Sequence, residues 1–408
     1  MSSISTFFTF YWIFYFPLCI AFYGIKGFEF VDELMTVILI VYTISQYKNI
    51  STNRFPWNEY KSFLGILLFY VVYSLILAVN VPEAVGLELI QQIRPYSIIY
   101  CTWILNPRFS IKQQKWMLAT MIISTVVWLF IHPEMFSGKD ERNAVIGQLA
   151  ICSAMSFFLF SKESKRNLYV ALLIASVGLI GSKFKFLGEY VTFILLLFFV
   201  KDKFNFKSPK FLIQLSLLVI VVLFFTWSQF DTYYVSGLEN EELARPMTYK
   251  TALKIIKEYF PFGSGMGTFA TLGAAEYYSP LYEKYNLSHI WGLGHGGGFI
   301  MDAFYPSLAQ YGIVGIILFG IFWKRRLIAI NKISDLKYYK VAMMTFFCLA
   351  IEQTADSSFL SGKGMGYCML IGLCLNANRN MGMADAEERK VRKKPKWRGV
   401  LEDGRGKR

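Results

Sequence analysis

Long apolar blocks recur along this chain, and they restrict its possible folds more than any other feature. They contain almost no side chain that prefers water, and clear examples are Phe7–Tyr23, Phe63–Val79, Trp116–Phe130 and Phe211–Phe225. A helix needs roughly 20 residues to cross the hydrocarbon layer, and its backbone groups must be hydrogen-bonded there. Repeated blocks of about this length predict an all-α polytopic membrane protein.

Charged residues are scarce, and their placement argues against a nucleic-acid partner. Only 17% of the 408 residues are charged, whereas a soluble domain carries about 25%. Much of the net charge of +14 lies in Arg389–Arg408, which we interpret as a solvated cytoplasmic end close to anionic lipid. The six cysteines lie in or beside apolar blocks, and no spacing among them resembles a metal site.

About twelve transmembrane helices are expected. The first apolar block lacks the basic start and small-residue cleavage site of a signal peptide, so it is counted as a span. Residues 1–378 then form a single transmembrane domain, and residues 379–408 form a basic cytoplasmic tail. The predicted ranges are 5–25, 29–47, 61–79, 85–105, 116–132, 144–160, 168–182, 186–200, 211–229, 299–323, 340–357 and 363–378.

The connections between these ranges alternate in charge, and this predicts their sidedness. Lys and Arg are dense in every second connection, for example in Lys48–Lys61, Lys201–Lys210 and Lys324–Arg326, and sparse in the others. Short loops rich in Lys and Arg stay in the cytoplasm. The protein is therefore predicted to lie in a bacterial cell membrane with both termini in the cytoplasm. The segment of about 229–298 becomes one large outer loop.

Ionisable and amide side chains within the spans cluster near the predicted outer end. Such groups are expensive in lipid and usually functional. A transport pathway should show polar groups at several depths, so this one-sided pattern predicts a site that opens outward. The residues are Asp32, Glu33, Glu88, Gln91, Gln92, Arg94, Lys183, Lys185, Glu189, Asp302, Glu352 and Asp356.

Arg94 is the most distinctive of these residues, because it lies roughly 13 Å along its predicted helix. It is interpreted in three ways: as a salt bridge to Glu88 or to a carboxylate on another helix, as a cation for a phosphate-bearing lipid, or as a side chain that reaches the outer headgroups. Lys183 and Lys185 are either interfacial anchors or further cations for the same substrate.

The outer loop carries the second dense signal, which reads RPMTYKTALKIIKEYFPFGSGMGTF from Arg245. Met247–Phe260 is predicted to be an amphipathic helix at the membrane surface, followed by a flexible turn built on the glycines of GSGMG. A second glycine-rich turn, Gly292–Gly298, contains His295.

The remaining loop candidates are histidines and aromatic residues. His295 is a candidate base, and His289 a candidate substrate ligand, although a lone loop histidine is more often a surface polar group. Tyr278 is a candidate for stacking on a sugar face, as are Tyr277, Tyr282 and Trp291. Aromatic side chains are also common at membrane interfaces.

The loop and the start of the next span contain, in order, an Arg before an amphipathic helix, then PFGSGMGTF, a variable stretch and FIMDAFYPSLAQYGIVGIILF. This order of motifs resembles the bacterial O-antigen polymerase and ligase superfamily. The resemblance covers about residues 245–315, and Gly312 with Gly315 matches the family's Gly-x-x-Gly. Ligases of that family place a His-Asn pair where this chain has Met301 and Asp302. The polymerase members are therefore the better match.

The resemblance implies a multi-helical fold related to the GT-C glycosyltransferases and a lipid-diphosphate-linked oligosaccharide substrate. It also implies that no metal or other cofactor is required, and it suggests a protein that sets chain length as a candidate partner. Arg245 and Arg94 are then the expected ligands of the pyrophosphate. Asp302 or His295 would align or deprotonate the acceptor hydroxyl.

Two other functions stay open at this stage. An O-antigen ligase would use the same site to move finished glycan onto another acceptor. A flippase or transporter of lipid-linked sugars would need polar groups facing the cytoplasm as well, and the predicted spans contain almost none.

Cysteine labelling tests the predicted sidedness. In a background without native cysteines, an impermeant reagent should label Glu283→Cys in intact cells, because that residue lies in the predicted outer loop. Lys203→Cys should stay unlabelled until the membrane is opened. Labelling of Lys203→Cys with protection of Glu283→Cys would reverse the predicted topology.

Overall fold

The computed structural model describes residues 3–21, 30–46, 54–131, 143–181, 183–205 and 208–378. These residues form helices, turns and bends, and no strand occurs among them. The predicted all-α class is confirmed for this part of the chain. The predicted basic tail, residues 379–408, lies outside the described residues.

Helices overlap all twelve predicted transmembrane ranges. Among the described residues, nine helices precede the large loop, three short or amphipathic helices lie within it, and three follow it. In chain order they are α1 Ser3–Ala21, α2 Val31–Ser45, α3 Arg54–Leu77, α4 Pro82–Leu105, α5 Ile111–Ile131, α6 Asn143–Phe160, α7 Lys165–Ser176, α8 Phe184–Phe198, α9 Pro209–Tyr234, α10 Ala244–Glu258, α11 Leu272–Glu276, α12 Leu281–Lys284, α13 Gly312–Asn331, α14 Leu336–Ala355 and α15 Met365–Cys374.

Within the described part of the chain, three helical stretches are long and apolar enough to cross a membrane: Phe55–Leu77, Ile111–Ile131 and Ile213–Tyr234. Their apolar side chains point largely outward, and none of the most apolar window of Ile213–Tyr234 is buried. Charged side chains such as Arg94 and Glu88 are buried instead. Because water disfavours so large an exposed apolar surface, this arrangement is consistent with a membrane protein.

The helix bundle has two chemically different ends. At one end, contacts join parts of the chain that are rich in Lys and Arg. Examples are the Arg326–Glu59 ion pair and the hydrogen bond from Lys337 to the Ser161 carbonyl. We call this the basic end. The opposite end, called the loop end, carries the large loop, which runs from residue 235 to residue 311.

The predicted start of the tenth span is wrong. Residues 299–304 form turns and bends, Tyr305–Tyr311 is a short 3-10 helix, and α13 begins only at Gly312. Gly312 has a φ of +59°, which an uninterrupted α-helix does not contain. Asp302 therefore lies in an irregular segment ahead of the span and not inside a helix.

The GSGMG turn is fixed by the bundle, so the prediction of a flexible turn is also wrong. All residues from Gly263 to Ala270 are buried. The Gly265 amide donates to the Gln310 carbonyl at 2.9 Å, and the Met266 amide donates to Ser74 Oγ on α3 at 2.7 Å. The glycines serve close packing of the loop against the bundle.

The closest of these contacts joins Gly263 to Gly312. A Cβ atom on Gly263 would lie 2.3 Å from the Gly312 nitrogen, and one on Gly312 would lie 2.4 Å from the Gly263 nitrogen. Both residues also have positive φ angles, +82° and +59°. Only glycine allows the two backbones to approach this closely, and the contact fixes the loop on the first residue of α13.

The predicted amphipathic helix is present as α10. It ends at Glu258, two residues before the predicted end. Its buried face packs on the 3-10 helix Tyr305–Tyr311, whereas Leu253 on the helix and Phe260 just after it are each 70% exposed. Two outward apolar side chains next to lysines are typical of a helix at a membrane surface. The buried face consists of Pro246, Thr248, Thr251, Ala252 and Ile255.

Alanine substitutions of two glycines test the close contact. Gly296 also has a positive φ, +70°, but no atom lies within 4 Å of an added Cβ. Gly296→Ala should cost only the left-handed backbone strain of about 1–2 kcal/mol. Gly263→Ala should cost about 1–3 kcal/mol more through overpacking. Thermal unfolding of the purified protein in detergent measures both, and equal losses would contradict the packing role.

Candidate functional site

Arg245 and Asp302 form a two-pronged ion pair at the loop end. Arg245 Nε donates to Asp302 Oδ2 at 2.6 Å, and Nη2 donates to Oδ1 at 2.9 Å. The two side chains are 13% and 20% exposed. Arg245 lies in the first turn of α10, and Asp302 lies in the turn ahead of the 3-10 helix. The structure thus brings together two residues that the sequence singled out 57 positions apart.

Three tyrosines that were not predicted from the sequence support this pair: one contacts Arg245, and two tie α9 and α10 to α14. Its guanidinium carbon lies 4.2 Å from the centre of the Tyr233 ring, a favourable cation–π distance. Tyr234 and Tyr249 both donate to the Thr354 carbonyl at the end of α14, at 2.6 and 3.2 Å. Tyr249 lies four residues after Arg245 on α10, so helical spacing could have identified it.

The surroundings keep Arg245 charged. Burial disfavours the guanidinium charge, but the hydrogen bonds and negative charge of Asp302 outweigh that effect and raise the pKa of Arg245. Burial raises the pKa of Tyr249 as well, so that side chain remains a neutral donor. Arg245 therefore stays charged across the physiological pH range.

The pair retains hydrogen-bonding capacity for a ligand. A guanidinium carries five N–H donors, and Arg245 uses Nε and Nη2 on Asp302. Its Nη1 makes no hydrogen bond within the described part of the chain. Each Asp302 oxygen accepts one bond from Arg245, and a carboxylate oxygen can accept two. A cation and a carboxylate are thus presented side by side.

Lys185 belongs to a second group, which we call the Lys185 cluster: Lys185, Glu189, Glu352, Asp356 and Ser358. Lys185 Nζ donates to Glu352 Oε2 at 2.7 Å and to Asp356 Oδ2 at 2.6 Å. Glu352 Oε2 also accepts from Ser358 Oγ at 3.0 Å, and Glu189 is fully buried. Two carboxylates neutralise Lys185, which argues against its predicted role as a cation for substrate.

Arg94 is the centre of a third group, the Arg94 cluster, with Asp32 and Glu33 of α2. Its Nη1 donates to Asp32 Oδ2 at 2.7 Å and to the Leu360 carbonyl at 2.9 Å, and Nη2 pairs with Glu33. Arg94 is only 2% exposed. This geometry favours a salt bridge to another helix over the phosphate and headgroup alternatives.

Glu88 is not the partner of Arg94. It is fully buried, and its Oε1 accepts from Gln92 Nε2 at 2.8 Å and from Gln310 Nε2 at 2.9 Å. Gln310 Oε1 in turn accepts from the Gly267 amide at 2.8 Å. Glu88 therefore helps to dock the glycine turn of the loop onto α4.

The segment 356–364, between α14 and α15, joins these groups. Asp356 belongs to the Lys185 cluster, and the Leu360 carbonyl accepts from Arg94. Ser357 Oγ donates to the carbonyl of Met301 at 2.8 Å, directly before Asp302. Asp356 was selected from the sequence, but Ser357 and Leu360 were not, because a lone serine and a backbone carbonyl carry no distinctive pattern.

The other predicted site residues lie apart from the pair. His295 is 74% exposed in its side chain, its ring lies 3.7 Å from that of Tyr278, and its Nε2 lies 3.7 Å from Glu283. His289 is exposed, and Lys183 precedes α8. In the described ranges, none of these residues makes a hydrogen bond or ion pair with Arg245 or Asp302. His295 therefore lies outside the Arg245–Asp302 pair.

Comparison with known proteins adds no assignment. No protein-family model and no curated protein sequence matches this chain. Within residues 3–378, omitting the undescribed gaps, no group of three or more His, Cys, Asp and Glu side chains is arranged to hold a metal ion. The Arg245–Asp302 pair is therefore the main candidate site.

Substitution of Arg94 tests its structural role. Arg94→Met leaves Asp32 and Glu33 without their cation, so it should lower the free energy of unfolding by about 3–5 kcal/mol. Adding Asp32→Asn and Glu33→Gln removes the uncompensated charge and should restore most of that loss. Arg325→Met is the control, because Arg325 is exposed and its pairing with Glu59 should contribute little.

Melting temperature and membrane abundance are the readouts for these variants. A single Arg94→Met variant that melts like the unsubstituted protein would contradict the structural role. The same result would return Arg94 to the candidates for phosphate binding.

Proposed function

We propose that this protein is a membrane glycosyltransferase that polymerises lipid-diphosphate-linked oligosaccharide repeat units into a surface polysaccharide, such as O-antigen or capsule. In this proposal the chain crosses a bacterial cell membrane about twelve times in a GT-C-like arrangement, with both termini in the cytoplasm. The loop end then faces outward. The observation that carries the proposal is the Arg245–Asp302 pair, because it offers a free guanidinium edge beside a carboxylate.

The reaction requires one bond to form and one to break. The hydroxyl oxygen of the acceptor sugar attacks the anomeric carbon of the growing glycan, and the bond from that carbon to the pyrophosphate oxygen breaks. The lipid pyrophosphate leaves with the electron pair. Arg245 Nη1 stabilises the negative charge that develops on it, and Asp302 accepts the hydroxyl proton.

The pair has the positional support that such chemistry needs. Catalytic groups must be held to about 0.5 Å. Arg245 is fixed by Asp302, by the Tyr233 ring and by its position on α10, which is anchored to α14 through Tyr249. Because Asp302 lies outside a helix, the two hydrogen bonds from Arg245 supply much of its orientation. One residue can thus serve both structure and catalysis.

The Arg94 and Lys185 clusters receive a supporting role. Each of their cations is paired with two carboxylates, so both clusters carry a net negative charge. Arg245 is paired with Asp302 alone and does not use its Nη1 on that carboxylate. We therefore assign the pyrophosphate to Arg245 alone. The two clusters position α14 and the segment 356–364. Ser357 of that segment donates to the Met301 carbonyl, and Thr354 of α14 accepts from Tyr249, which lies on α10 with Arg245.

The proposal predicts different effects for three variants. Asp302→Asn keeps the shape but removes the proton acceptor, so polymer formation should fall by about 10²–10⁴-fold. Arg245→Lys keeps the charge but loses the two-pronged geometry, so it should restore little polymer formation to that strain. His295→Ala should make normal polymer. The measurement is glycan length on a gel, from a strain that lacks the native gene and carries each variant.

A neutral pair separates catalysis from folding. Arg245→Gln with Asp302→Asn leaves no unpaired charge, so this double variant should reach normal membrane abundance and still make no polymer. Wild-type polymer from Asp302→Asn, together with an inactive His295→Ala, would overturn the base assignment and favour the ligase alternative.

The strain without the gene distinguishes the three functions. A single repeat on the final acceptor indicates a polymerase. Absence of any glycan on that acceptor indicates a ligase, and lipid-linked repeats trapped inside the cell indicate a flippase.

A further inference from the structure

A cavity at the basic end is lined by an unusual number of lysines. It has a volume of about 390 Å³ and lies beside the first turns of α7 and α14, together with the end of α6. The lysines that line it are Lys162, Lys165, Lys337 and Lys340.

Protein groups balance only part of the positive charge of this cavity. None of the four lysines makes an ion pair with a carboxylate of the described residues. Lys337 and Lys340 donate instead to backbone carbonyls, those of Ser161 and Leu197. Glu163 is the one carboxylate that lines the cavity, so four lysines and one glutamate give a lining charge of +3. Such a concave surface favours an anion.

The same cavity has apolar walls. Phe158, Leu168 and Leu336 line it next to the lysines. From Lys165 an exposed apolar stripe continues along α7 through Tyr169 and Leu173, which are four and eight residues further and therefore on the same helix face. A cationic cavity that opens onto an apolar stripe matches an amphiphile with an anionic head.

We propose that this cavity binds the phosphate headgroup of an acidic phospholipid, with an acyl chain along the Tyr169–Leu173 stripe of α7. Basic pockets between helices on the cytoplasmic side of a membrane commonly bind such headgroups. The site is separate from the Arg245–Asp302 pair, because Lys337 and Thr354 are roughly 25 Å apart along α14. The inference goes beyond the proposed glycosyl transfer and does not depend on it.

The test uses the intact protein in vesicles of phosphatidylcholine with a minority of phosphatidylglycerol. Native mass spectrometry then counts the phosphatidylglycerol molecules retained after extraction. Lys162→Gln with Lys165→Gln removes two exposed charges whose side chains make no hydrogen bond or ion pair with the described residues. The matched control is Lys112→Gln with Lys115→Gln, which removes two exposed charges on α5 at the same end.

The Lys162/Lys165 variant should retain phosphatidylglycerol roughly thirtyfold more weakly, since each lysine near an anionic headgroup contributes about 1 kcal/mol. The control should retain it like the unsubstituted protein. Added salt should weaken retention by the unsubstituted protein and have less effect on the Lys162/Lys165 variant.

Three outcomes would overturn the proposal. Equal loss in both variants would show a general charge effect, and equal retention of phosphatidylcholine would show that the anionic head is not recognised. Displacement of the lipid by inorganic phosphate at a similar concentration would identify a soluble phosphate site instead. The melting temperature of the Lys162/Lys165 variant should match that of the control, so that unfolding does not explain the loss.

Discussion

The pairing of buried charges is the constraint on which the rest of this structure depends. A charge moved into an apolar interior loses several kcal/mol of hydration, so it needs an opposite charge or hydrogen-bond donors beside it. Arg94 of α4 meets Asp32 and Glu33 of α2, and Lys185 of α8 meets Glu352 of α14. A shift of one helix along another would strand these charges, so the ion pairs set the register of the helices.

The large loop depends on that register in turn. Its glycine turn is inserted between α3, α4 and the start of α13, where Gly263 touches Gly312 and Gln310 reaches the buried Glu88. The loop is therefore a packed continuation of the helix bundle. Because both ends of the docked segment are fixed in this way, α10 delivers Arg245 to Asp302 with little freedom.

The candidate site was predicted in part. Arg245 and Asp302 were selected from their motif and position, and they meet in space. Arg94 and Lys185 were also selected, but the sequence could not show that carboxylates of other helices neutralise them. The start of the tenth span was misplaced for a local reason, because FIMDAFYPSL is as apolar as the start of a membrane-spanning helix. The packing of Gly312 against Gly263 shows that the helix begins only at Gly312.

The sequence by itself determined the all-α class, the approximate positions of the long helices and the concentration of polar groups toward one end. These properties follow from hydropathy and charge along the chain, which local physics fixes. The tertiary structure alone decided which carboxylate pairs with which cation, which glycines touch and which of the predicted site residues meet. Those outcomes depend on contacts between residues as far apart as Arg94 and Leu360, separated by 266 positions, and only the packing of the helices brings such residues together.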